Sequence, residues 1–182
     1  MINQDILRQG GDALRARAEA LPHARFGPIV SRDFTMRELK AGLGRGAIQK
    51  WLRSSEHVEV YGRAIYRISA ATQAGADALL AEFGRVQPNV SYSLPRLIPE
   101  HQGRTIYVGS SLKIADRLRE HLQRASDATY ALHLRRWCLP EDHVLRVELQ
   151  APADGVPNTV VQDAEDALWD FSRPRLGRRG AK

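Results

Sequence analysis

A single cysteine, Cys138, carries all the thiol chemistry in 182 residues, which excludes an internal disulfide and any thiolate-cluster zinc site. It follows Trp137 in a helical apolar pattern, a setting that favours a buried thiol over a nucleophile. Long hydrophobic runs are also missing. No stretch approaches the ~20 apolar residues of a membrane-spanning helix, and Asp5 and Arg8 flank Ile6-Leu7 where a secretory signal would need a continuous apolar core. A cytoplasmic protein without a membrane partner is expected. Internal repeats and low-complexity tracts are lacking, and His101, His133 and His143 stand at no ligand-like spacing. What is present, 43% hydrophobic and 26% charged residues, is ordinary for a globular chain of one large or two small domains.

The net charge of +6 is unevenly placed. Residues 1–70 carry 12 Lys/Arg against 7 Asp/Glu, residues 71–172 carry 10 against 14, and the last ten carry 5 against none. Basic ends suggest contacts with a phosphate backbone, and a mildly acidic middle leaves room for a divalent cation; a solvated arginine-rich surface is the alternative.

The most informative stretch is Arg104 to Leu122. A β-rich Thr105-Ile106-Tyr107-Val108 run stops at Gly109 and passes into a helical pattern, so a strand feeds a helix through a tight turn. Leu112, Ala115, Leu118 and Leu122 form the expected buried stripe, with Lys113, Arg117, Glu120 and His121 off it. Arg117 and His121 are four apart and share a face. A guanidinium and an imidazole beside a strand-end tyrosine suit phosphate handling, since arginine binds phosphoryl oxygens bidentately and His or Tyr can move a proton.

Elsewhere, residues 3–21 read as an amphipathic helix interrupted at Gly10-Gly11, with Ile6, Leu14, Ala18 and Leu21 on one side. Thr35 and Glu38 form a capping-box pair ahead of a short helix, and a basic helix follows over about 46–54 with Ile48 and Leu52 inward. Segments 57–61 and 64–68 alternate and predict a hairpin hinged at Gly62-Arg63. Residues 71–84 predict an alanine-rich connector helix ended by Gly84, and Arg85 to Asn89 a linker. A helix over 128–138, a strand over 143–149 and a closing helix over 159–172, burying Val161, Ala164, Leu168 and Phe171, complete the chain.

Helix, turn, basic helix and hairpin over residues 12–69 resemble a winged helix-turn-helix domain. The resemblance implies that Arg45, Gln49, Lys50 and Arg53 face DNA, with Arg63 at the wing tip. The alternative is a helical module that docks on the rest of the chain or forms a dimer.

Residues 88–177 resemble the GIY-YIG nuclease family. Tyr107-Val108-Gly109 resembles the second half of the signature, and Arg117 and His121 follow at the family's spacing. Tyr92, in Val90-Ser91-Tyr92, resembles the tyrosine of the first half, with Val-Ser in place of the usual Gly-Ile. Glu165, with Pro174 nine residues on, resembles the metal-binding carboxylate of the family's last helix, and Gly177 stands where asparagine is common.

Together these resemblances imply an α+β protein. A winged helix-turn-helix domain (1–70) and a helical connector (71–87) would precede a nuclease domain (88–182) with a small three-stranded sheet and a basic tail. The implied activity is metal-dependent hydrolysis of DNA, of the restriction or mobile-element type. Mg²⁺ or Mn²⁺ would be held by Glu165, Arg117 would stabilise the transition state, and Tyr92 would be the general base. Tyr107 or His121 would position water or relay the proton, and Arg173, Arg175, Arg178 and Arg179 would add backbone contacts. One site cuts one strand, so double-strand cleavage implies a homodimer or two successive events. The alternative is a DNA-binding regulator or structural factor with an inactive nuclease module, motivated by the missing Gly-Ile before Tyr92.

Overall fold

The computed structural model describes residues 2–180 as an α+β protein built on one antiparallel sheet. Strands β1 (Val30–Thr35), β2 (Ala64–Ala70), β3 (Thr105–Ser111) and β4 (Val144–Gln150) lie in the order β1-β4-β2-β3. Tyr66 stands opposite Leu149 on β4 and Gly109 on β3. This register puts Tyr66, Ile68, Tyr107, Val147 and Leu149 on one face, where they join the main hydrophobic core.

That core is closed by five helices: α2 (Met36–Ala41), α3 (Ala47–Ser54), α4 (Gln73–Val86), α5 (Ile114–Leu122) and the short α6 (Leu134–Trp137). Leu39, Leu52, Phe83, Leu118 and Trp137 are their buried anchors. The opposite face, with Ile65, Val108 and the cross-strand pair Arg67–Glu148 at 2.7 Å, lies on the side of α7 (Asn158–Ser172). Helix α1 (Gln4–Ala20) runs unbroken through Gly10-Gly11 and buries none of its residues. It is tied to α7 by the Arg17–Asp163 ion pair. Among the described residues no helix is long and apolar enough to cross a membrane.

Several local expectations hold. The Thr35–Glu38 capping box is present, with both reciprocal hydrogen bonds. Helices α3 and α7 start within one residue of their predicted positions. Cys138 is buried and its thiol is pushed up to about 11, chiefly by that burial, which leaves it a packing group.

The organisation differs from the expectation in three ways. The hairpin of 57–61 with 64–68 is absent: residues 55–63 are turn and coil, and β2 pairs with β3 and β4 instead. The physical reason is that five of the seven β2 residues are buried, on both faces, which a two-stranded wing cannot provide. The sheet therefore has four strands, drawn from both sides of residues 71–87, and no strand forms at 88–94. Finally, α4 packs Leu79, Leu80 and Phe83 into the shared core, Phe83 meeting Trp137 edge-on at 5.3 Å. A helix with that apolar stripe is a core element rather than a spacer. It also continues through Gly84 to Val86. The predicted 128–138 helix shrinks to α6.

Candidate active site

β3 runs through Gly109 to Ser111, so the turn into α5 falls at Leu112-Lys113 rather than at Gly109, and the buried stripe keeps Ala115, Leu118 and Leu122 but differs at two other places. Ile114 replaces Leu112, which is 65% exposed, and His121 is fully buried rather than off the stripe. Gly109 is required by close approach: a Cβ there would lie 2.7 Å from the Tyr66 hydroxyl and 3.0 Å from the Tyr107 ring. Gly177, at φ +108°, lies against the other side of the Tyr107 ring. The Tyr66 and Tyr107 rings stack with centroids 6.1 Å apart, and the His121 ring lies 4.6 Å from that of Tyr107.

Hydrogen bonds define the protonation of this cluster. The Leu132 backbone N–H donates to His121 Nδ1 at 3.1 Å, so Nδ1 must carry a lone pair. Burial, together with the nearby Arg117 charge, pushes the imidazole well below its usual value, so it is neutral and its proton sits on Nε2. Nε2–H therefore donates to the Tyr66 hydroxyl oxygen, 2.8 Å away. Arg117 Nε donates to the same oxygen at 3.3 Å. Burial and the neighbouring Tyr107 hold the Tyr66 phenol well above its usual value; the Arg117 cation works in the opposite direction. Burial likewise raises Tyr107, again opposed by Arg117.

Arg117 is fixed at three points. Besides Tyr66, its guanidinium donates to Glu120 at 2.9 Å and to the Tyr130 carbonyl at 2.9 Å. Burial opposes its charge, but Tyr66, Tyr107 and Glu120 more than offset it and hold the cation above its usual range. On α7, Glu165 is buried to 7% exposure and faces Ser110 at the end of β3. It accepts from Ser110 Oγ at 2.5 Å and from Gln162 Nε2 at 3.3 Å. Burial, helped by Asp166, raises its carboxyl above the usual value despite those donors and Arg117.

These groups meet in one cleft of about 780 Å³, whose walls include Tyr66, Tyr107, Ser110, Arg117 and Glu165. Four of the five expected catalytic residues, Tyr107, Arg117, His121 and Glu165, are brought together. His121 reaches the cleft only through Tyr66, because it is fully buried and both ring nitrogens are engaged.

Tyr92 is not among them. It lies outside any strand, with the Arg136 guanidinium 4.4 Å over its ring and the His133 ring 5.2 Å away. The tyrosine that lies beside Tyr107 is Tyr66. The signal was present in Ala64-Ile65-Tyr66, but this run precedes the resembling segment and is separated from Tyr107 by the whole of 71–104. Only β2–β3 pairing joins them. Glu120, Ser110 and Gln162 were likewise missed, since none carries a distinctive spacing.

The residues expected at DNA are dispersed. Arg45, Lys50 and Arg53 are exposed on and just before α3, and Gln49 is half-buried there. Arg63 is not at a wing tip: it donates to the Val156 carbonyl at 2.6 Å and to Asn158, at the rim of the cleft. Arg178 lines the same cleft and Arg173 is exposed. Arg175 pairs with Asp77, and Arg179 with Asp166 and Asp170, so these tail arginines are engaged with the fold's own carboxylates.

Among the described residues Glu165 is the one carboxylate on the cleft wall, and no group of three or more His, Cys, Asp or Glu suited to a metal occurs. A single carboxylate with a neighbouring hydroxyl in an open cleft fits Mg²⁺, which keeps several waters and commonly binds through one or two carboxylates plus substrate phosphate. No family model matches the chain, and neither the curated proteins nor the solved structures contain a match.

Proposed function

We propose that the chain is a phosphodiester hydrolase of the GIY-YIG type acting on DNA. The observation that carries this reading is the convergence of Tyr66, Tyr107, Arg117 and Glu165 on one cleft. Ala64-Ile65-Tyr66 on β2 and Tyr107-Val108-Gly109 on β3 are adjacent antiparallel segments. The first keeps the Ile-Tyr of Gly-Ile-Tyr and departs only in the alanine. The Val90-Ser91 departure that motivated an inactive module concerns a segment outside the cleft.

In this reading a scissile phosphate lies against Arg117, whose guanidinium is already oriented by Glu120 and the Tyr130 carbonyl. It offers charge-assisted hydrogen bonds to the oxygens that gain charge in the transition state. Glu165 would hold Mg²⁺ or Mn²⁺. When bound, that ion supplies Lewis-acid stabilisation of the phosphate and the leaving oxygen.

Tyr66 takes the role of general base. Its oxygen accepts from Arg117 and His121, two donors that favour the phenolate, while burial favours the phenol. At neutral pH the phenol predominates, and the small phenolate fraction removes the proton of the attacking water. His121 positions Tyr66 by donating from Nε2. Tyr107 supports Tyr66 through ring stacking, with its own hydroxyl on the Arg117 side.

Site choice is assigned to residues 1–70, chiefly α3 with Gln49, Lys50 and Arg53, in a protein of the restriction or mobile-element type. Incubation of the purified chain with plasmid DNA and Mg²⁺ or Mn²⁺ tests the function. Chelator-sensitive cleavage, abolished by Arg117→Ala, is the expected result. DNA left intact across both metals, low salt and several substrate forms overturns it.

A further inference from the structure

Beside α5 there is a second concave surface, away from the candidate catalytic groups. A groove of about 350 Å³ separates the turn before α3 from the end of α5, and Arg45, Gln49, Arg119, Gln123 and Arg124 are among its walls. A shallow depression shares Arg119 and Arg124 with this groove and is lined on its other side by Glu120, Ser126 and Thr129. Glu120 is one of the three groups that hold Arg117 in the candidate catalytic cleft. The surface thus runs from the cleft, past Glu120, to a rim carrying three arginines.

These cations are poorly compensated. Arg45 and Arg124 are exposed and take part in no ion pair among the described residues. Arg119 has only a long 3.9 Å pairing with Asp116, both largely exposed. Among the described residues Glu120 is the one carboxylate bordering either depression, and it is committed to Arg117. A groove with three cations and no free carboxylate is complementary to a chain of phosphate oxygens.

We infer that the α3–α5 groove seats the sugar–phosphate backbone of double-stranded DNA, with Arg45, Arg119 and Arg124 as its phosphate contacts. This rests on the reading of the neighbouring cleft as a DNA-cutting site. It adds two residues, Arg119 and Arg124, that lie outside residues 1–70, and makes one strip of surface connect α3 to Arg117. The backbone would be gripped on one side of the cut, so that α3 and the cleft act on a fixed register of the same duplex.

The test is binding of the full chain to a labelled duplex by fluorescence anisotropy, in chelator and over a range of salt. Arg45→Gln/Arg124→Gln is compared with Arg104→Gln/Arg135→Gln, which removes the same charge from exposed arginines outside residues 1–70 and outside the groove. Each phosphate contact contributes about 0.9 to the slope of log affinity against log salt. The groove variant should lower that slope by about 2 and weaken binding at least tenfold, with Arg119→Gln lowering the slope by about half as much. The control pair should change neither. Equal losses in both pairs, or none in the groove pair, overturn the inference, as does tighter binding of a duplex RNA than of DNA. Plasmid cleavage measured in parallel separates the two claims. Metal-dependent cutting together with unchanged groove-variant binding sinks the groove alone, whereas groove-dependent binding with no cutting sinks the nuclease reading alone.

Discussion

His121 donates its Nε2 proton to the hydroxyl oxygen of Tyr66 across 2.8 Å, and the backbone N–H of Leu132 on its other nitrogen leaves it no alternative tautomer. The imidazole is thereby a fixed donor rather than a proton relay. With Arg117 on the same oxygen, Tyr66 has two donors set to stabilise its ionised form, which is the feature a phenol needs to act as a base.

The first expectation follows for the two tyrosines. Tyr66→Phe removes the hydroxyl and keeps the ring that stacks on Tyr107, so single-turnover cleavage should fall by about 10² or more with the fold retained. Tyr92→Phe should leave the rate within about twofold. A reversal of this order would return the base role to Tyr92.

The pH dependence of cleavage carries the same assignment. Because burial holds Tyr66 above its ordinary value, the phenolate fraction grows throughout the neutral and mildly alkaline range. With Glu165 ionised, the rate should rise about tenfold per pH unit there. A flat profile would exclude a tyrosine base. The rise should be missing from whatever residual activity Tyr66→Phe retains.

Glu165 is expected to trade stability for function. Its folded value is raised above the unfolded one, so the native state keeps a proton that the unfolded chain releases. Its contribution is therefore most favourable below the ordinary carboxylate value and is lost as pH rises through the folded one. Glu165→Gln should melt higher than the parent at pH 8 and nearly level with it at pH 4, while cleaving at least 10² more slowly. Thermal melts at the two pH values decide this, and a variant less stable at pH 8 would contradict it.

Gly109→Ala should be costly without touching a polar group. The added methyl would meet the Tyr66 hydroxyl and the Tyr107 ring at or below 3.0 Å, and both rings are locked between β2, β3 and α5. A loss of about 1–3 kcal/mol in urea unfolding is expected from such overpacking, together with a cleavage defect. A loss no larger than that of Gly84→Ala, where a Cβ meets nothing within 4 Å, would contradict the packing argument.

Gln49→Ala with Lys50→Ala should blur or weaken site choice while leaving metal-dependent chemistry intact at high protein concentration. A variant with the parental fragment pattern and affinity would remove α3 from recognition.

Local signals in the sequence were enough for the capping box at Thr35, the existence of a strand at Tyr107-Val108 followed by a helix, the Arg117–His121 spacing and the last helix with Glu165. Each of these depends on residues within a few positions of one another, where periodicity, caps and turns act. The hydrophobic pattern of Ala64–Ala70 was equally visible as a strand. Its partners were not, because pairing is decided by which surfaces can be buried together, and those surfaces lie on β3 and β4, beyond α4 and the loops around it. Phe171 shows the same limit: it falls on the apolar stripe of α7 yet is 85% exposed. Tyr66 therefore became a site residue only through tertiary structure, which carried it across the chain to Gly109. The family resemblance, resting on local motifs, singled out Arg117, Glu165 and Tyr107, where spacing alone left Glu165 on a solvated acidic face. The placement of Tyr66 beside Tyr107, the protonation of His121 and the meeting of Arg119 and Arg124 with Arg45 at one groove were decided by long-range packing, which no local pattern encodes.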